Sequence, residues 1–90
     1  MNAISSQELA ALLKETAEAH HEAYRDSDGF DPEWASWYAP YLHTRIGDRL
    51  QGSPTRSELT YMVIKARRQH DAAADGSPWP EYYARVILEG

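Results

Sequence analysis

Apolar residues recur along this chain at steps of three and four, never in the strict alternation of a strand. Leu9, Leu13, Ala17, His20 and Tyr24 make one stripe, with a histidine riding on it. Trp34, Trp37, Tyr38, Tyr41, Leu42, Ile46 and Leu50 make a broad aromatic second, and Leu59, Met62, Val63, Ala66, His70 and Ala73 a third. Tyr82, Tyr83, Val86 and Ile87 give a short fourth. Such spacing places one apolar face on each of four amphipathic helices.

Start and stop signals bound the four elements. Ser5-Ser6-Gln7-Glu8 is a capping box, in which hydroxyl and carboxylate satisfy orphan N–H groups reciprocally. The first helix runs from it to about Asp26, where Asp26-Ser27-Asp28-Gly29 stops it. Asp31-Pro32 opens the second, with Asp at the cap and Pro at the first helical position. Pro40 falls inside this helix, where it removes a hydrogen bond and crowds the carbonyl four residues back, so a kink or a fresh start is expected there. Gly52-Ser53-Pro54 is a connection, and Thr55-Arg56-Ser57-Glu58 is a second capping box. After the turn Asp75-Gly76-Ser77-Pro78, the last helix begins at Trp79-Pro80-Glu81 and ends near Leu88.

The two halves match. Shifted by 50 positions, Ser5 meets Thr55, Glu8 meets Glu58, Leu9 meets Leu59, Leu13 meets Val63 and His20 meets His70. Shifted by 45, Trp34 meets Trp79, Trp37 meets Tyr82, Tyr38 meets Tyr83, Ala39 meets Ala84 and Leu42 meets Ile87. The change of offset makes the first inter-helix loop five residues longer than the second. Any two amphipathic helices share leucines, but not a tryptophan, a Tyr-Ala pair and a histidine in register. The expectation is an all-α fold of four helices as two pseudo-repeated helical hairpins, repeat one about 5–50 and repeat two about 55–90, in a single domain over 1–90. A hairpin alone cannot bury its apolar face, whereas two can bury theirs together. The fourth helix is shorter than the second, which predicts an uncovered part of the aromatic face as a surface for a partner.

Composition narrows the chemistry. A chain of 90 residues is one small domain with a modest core. It has no cysteine, which removes disulfides, thiolate metal sites and cysteine nucleophiles. The net charge is −5, with eight acidic and three basic residues in 1–45 and six of each in 46–90. An acidic protein is poorly suited to neutralising phosphates, so nucleic acid is not an expected partner, and Lys65, Arg67 and Arg68 read as a solvated helix face. No basic leader with an apolar run is visible and no stretch nears the ~20 apolar residues of a membrane span, so a cytoplasmic protein is expected, with no membrane partner.

The stretch His20-His21-Glu22-Ala23-Tyr24, followed by Asp31-Pro32-Glu33-Trp34-Ala35-Ser36-Trp37-Tyr38-Ala39-Pro40-Tyr41-Leu42, resembles a motif of small bacterial proteins. These carry His-His-x-x-Tyr and then Asp-x-Trp-Pro-x-Trp-Tyr-Ala. The first copy here departs from that order, while Trp79-Pro80-Glu81-Tyr82-Tyr83-Ala84 keeps the Trp-Pro step. The resemblance covers about a quarter of the chain per copy. It implies a helical bacterial protein and carries no activity.

His20 and His70 are the sharpest candidates for chemistry. Each sits near the end of its hairpin's first helix, and the repeat places each beside the aromatic segment of its own hairpin. A titratable imidazole flanked by Trp34, Tyr38, Trp79 and Tyr83 would suit ligand binding or proton transfer near neutral pH. The plainer account is a pair of buried histidines satisfied by hydrogen bonds for the sake of the fold. No catalytic residue is assigned, because nucleophile elbows and phosphate loops are missing. No metal ligand or cofactor is assigned either: His-Glu-x-x-His is absent, and Asp26-x-Asp28-Gly29-x-Asp31 lacks the glycine and glutamate spacing of a calcium loop. The expected function is therefore a non-enzymatic helical protein acting on a protein partner or as a homodimer. The alternative is a small-molecule or metal-binding protein, even an enzyme, using a pocket lined by the two histidines and four aromatic residues.

Overall fold

The computed structural model describes residues 3–27 and 31–89. Four α-helices follow one another: α1 (Ser6–Ala23), α2 (Trp34–Ile46), α3 (Arg56–Ala73) and α4 (Trp79–Glu89). There is no strand among the described residues. Both capping boxes form. The Ser5 hydroxyl accepts from Glu8 N–H while the Glu8 carboxylate accepts from Ser5 N–H, and Thr55 and Glu58 repeat the exchange. Ile4 and Pro54, the residues before each cap, are buried together with Leu9 and Leu59 four positions into each helix. That is the arrangement of a hydrophobic staple, and it fixes how the chain enters each helix.

Helix ends differ from the sequence expectation where tight turns compete. α1 stops at Ala23 because Arg25–Ser27 winds into a 3-10 turn. Asp28 and Gly29, the rest of the expected stop signal and of the calcium-like loop, lie outside the described residues. α2 begins at Trp34, not at Pro32: the Asp31 carboxylate accepts from Glu33 N–H at 2.9 Å and its carbonyl from Trp34 N–H at 3.2 Å, forming a turn ahead of the helix. Pro40 is held within one continuous helix. α3 closes on Ala74, which adopts the left-handed conformation at φ 47° to donate its N–H to the His70 carbonyl.

The helices pack in a ring, α1 on α2, α2 on α3, α3 on α4, and α4 back on α1. The most extensive packing runs between hairpins, α1 with α4 and α2 with α3. A pseudo-two-fold operation that carries α1 to α3 and α2 to α4 preserves this ring. Burial follows the same operation. Leu9 and Leu59, Leu13 and Val63, Thr16 and Ala66, and Ala39 and Ala84 are all fully enclosed. Tyr38 and Tyr83 are buried as a pair. No helix of the described residues is long and apolar enough to cross a membrane.

Candidate functional site

Antiparallel hairpins bring the ends of α1 and α3 to the same end of the bundle as the starts of α2 and α4. There an open cleft of about 610 Å³ is lined by His20, Asp31, Pro32, Trp34, Tyr38, Arg67, Trp79 and Tyr83. Five of the six residues singled out from the sequence meet in it: His20, Trp34, Tyr38, Trp79 and Tyr83. His70 is not among the lining residues.

The walls are built in duplicate. Trp34 and Tyr38 lie one turn apart on α2 and meet edge to face, with ring centroids at 5.1 Å; Trp79 and Tyr83 do the same on α4 at 5.0 Å. Edge-to-face contact is the favoured geometry of aromatic pairs and holds each ring in one orientation. Both phenols are buried, yet neither hydroxyl has a hydrogen-bond partner among the described residues, and neither indole N–H of Trp34 or Trp79 has one. No enclosed side-chain polar atom of the described residues is left unsatisfied, so these groups keep access to solvent. Burial pushes the Tyr83 hydroxyl up to about 12 and raises that of Tyr38, with the nearby Arg67 charge opposing both shifts.

The two histidines, equivalent in sequence, are served differently. His20 Nε2 lies 3.0 Å from Asp31 Oδ2, and both side chains are 8% exposed. A carboxylate can only accept, so Nε2 carries the proton. The ring stacks on Tyr24 at 4.7 Å and takes the edge of Trp37 at 5.2 Å. The hydrogen bond from His20, aided by that from Glu33 N–H, holds the Asp31 carboxyl below its ordinary range. His70 Nε2 instead donates to the Ser77 carbonyl at 2.8 Å and meets Tyr82 edge-on at 5.0 Å. The shorter second loop puts a backbone carbonyl where the first hairpin has a carboxylate. His20 Nε2 thus meets a carboxylate beside the cleft, and His70 Nε2 a backbone carbonyl.

Arg67 and Asp31 are cleft residues that the sequence reading did not assign to a site. Arg67 was grouped there with Lys65 and Arg68, but Lys65 is half-buried and Arg68 lies in solvent, while the Arg67 guanidinium carbon stands 5.5 Å from the Trp34 ring centroid. Its ion pair with Asp71 is long, 3.7 Å, and both side chains are more than half exposed. The repeat holds a signal for it: Arg67 occupies the position where the first copy has Ala17. The remaining aromatic face of α2 is not bare. Trp37 and Tyr41 stack at 5.4 Å, Arg45 lies 3.5 Å above Tyr41, and the Tyr41 hydroxyl donates to Glu15 at 2.9 Å. Tyr61 is the large hydrophobic residue left exposed among those described. Among the described residues, no group of three or more His, Asp or Glu side chains is placed to share a metal ion.

Comparison with protein-family models, with curated proteins and with solved structures finds no match to this chain.

Proposed function

We propose that the protein binds a small molecule in the cleft at the pseudo-two-fold axis. The observation that carries the reading is an open cleft walled by two matching Trp-Tyr pairs, buried at the tyrosines and half-buried at the tryptophans, whose polar tips reach solvent without a protein partner. Ligand sites are concave, mostly apolar and aromatic, with a few polar groups left to fix orientation, and a pair of Trp-Tyr walls with solvent-facing polar tips has that make-up. The volume, about 610 Å³, suits a compact organic molecule. On the remaining aromatic face of α2, Arg45 lies over Tyr41 and Glu15 accepts from its hydroxyl, which leaves less of that face for a partner.

A fragment screen followed by proton–nitrogen NMR tests the proposal. Hits should move the indole signals of Trp34 and Trp79 while sparing Trp37, and should weaken in Trp79→Ala. A screen whose hits avoid both indoles, or that gives none at millimolar concentration, overturns it. A second reading, a protein partner or a second copy at the exposed Tyr61, has one observation behind it: a shallow groove between Pro54, Glu58, Tyr61 and Met62. Light scattering at high concentration of wild type and Tyr61→Glu checks that reading, and identical monomers in both would remove the homodimer.

A further inference from the structure

The side-chain groups that face the cleft without a partner can all donate a hydrogen bond. Arg67 offers guanidinium N–H groups, Trp34 and Trp79 offer indole N–H groups, and Tyr38 and Tyr83 have hydroxyls free to donate. The carboxylate among the described lining residues is occupied: Asp31 Oδ2 takes the His20 proton and Oδ1 takes Glu33 N–H. Donors around a permanent cation in a partly dehydrated site favour an anion, since charge-assisted hydrogen bonds are the strong ones and guanidinium matches a planar carboxylate. The paired aromatic walls favour a flat apolar body.

Broken symmetry supplies the polarity. Walls Trp34–Tyr38 and Trp79–Tyr83 are equivalent, but the cation is not: α3 brings Arg67 where α1 has Ala17. A ligand matched to this cleft has one charged end. The Arg67 guanidinium has only a long, exposed contact with Asp71 at 3.7 Å, which a ligand's single carboxylate can replace, whereas a doubly charged phosphate ester would face Asp71 with an excess of negative charge. We infer that the cleft takes a planar aromatic carboxylate, its carboxylate on Arg67 and its ring against the two Trp-Tyr walls. The inference rests on the cleft being a ligand site, as proposed above, and adds the ligand's class.

Three probes of one shape separate the two claims: naphthoate, naphthamide and naphthylmethylammonium, titrated while the Trp34 and Trp79 indole signals and the Arg67 Nε signal are followed. Naphthoate should move all three signals, and bind about tenfold more tightly than naphthamide, as expected for one partly exposed charge-assisted contact. Arg67→Gln should erase that preference, and Arg67→Lys should restore only part of it. Arg67 is more than half exposed, so both variants should keep the wild-type melting midpoint. Equal binding of amide or ammonium, still seen at the indoles, overturns the carboxylate and leaves the cleft standing. Failure of all three probes to move the indoles overturns both.

Discussion

Replacing Tyr83 by Phe should leave the protein unchanged at neutral pH and make it the more stable form in alkali. The Tyr83 hydroxyl has no hydrogen-bond partner among the described residues, so its removal strands nothing and should change stability by less than about 0.5 kcal/mol at pH 7. The ring keeps its edge-to-face contact with Trp79. In alkali the two proteins part. Burial pushes the Tyr83 hydroxyl up to about 12 from an ordinary value of 10.0. A group whose folded value is raised favours the folded state fully below its unfolded value, and that advantage drains away as pH climbs from the unfolded towards the folded value. At about pH 11 an unfolded phenol is roughly nine-tenths ionised and the folded one about one-tenth, a difference of about 1.4 kcal/mol. Solvent on the open side of the cleft screens the phenolate, which lowers the expected effect to about 1 kcal/mol. Urea denaturation followed by far-ultraviolet circular dichroism, at pH 7 and about pH 11, gives the comparison. Tyr24, Tyr38 and Tyr41 are also shifted upward but are common to both proteins, so the difference reports Tyr83 together with its charge coupling to Tyr38. Wild type and Tyr83→Phe losing the same stability between the two pH values would refute the burial of that hydroxyl.

Leu42 is fully enclosed, and Leu42→Ala should cost about 3 kcal/mol, a large share of the ~5–13 kcal/mol expected of a domain this size; a cost under about 1 kcal/mol by urea unfolding would deny the site its enclosure. His20 holds the Asp31 carboxyl below its ordinary range, so its stabilisation is present above the unfolded carboxylate value and is lost as pH falls through the folded one. Asp31→Asn should therefore flatten the acid limb of a stability profile taken from about pH 6 to pH 2, and an unchanged limb would show that the contact with His20 is not felt. Ala74→Gly should raise the melting midpoint, because left-handed backbone costs an L-residue about 1 kcal/mol that glycine escapes; a lower midpoint in differential scanning calorimetry would argue against the φ of 47°.

Local chemistry was the most readable part of the fold. The capping boxes at Ser5 and Thr55 need only residues three apart, so they show in sequence and recur in the structure. The Asp31 turn did not show, because a carboxylate before proline signals a cap wherever the helix chooses to begin. The walls of the cleft were legible since the repeat puts Trp34 with Trp79 and Tyr38 with Tyr83. What it could not tell was which histidine would join them: that depends on the backbone path of two loops of different length, one bringing up the Asp31 side chain and the other the Ser77 carbonyl. Arg67 was hidden among its basic neighbours, since only the crossing of α2 over α3 sets it against Trp34.

The ring of helices has a consequence for how this cleft could vary. Two separate copies of a single hairpin could close the same ring, but every residue would then face its own image, and an arginine at the axis would come with a twin. Joining the hairpins in one chain lifts that restriction. Arg67 can occupy the position that in the other hairpin is Ala17, and His20 can hold a carboxylate while His70 holds a carbonyl. Covalent linkage here confers direction: it turns a groove with two identical ends into one whose ends differ.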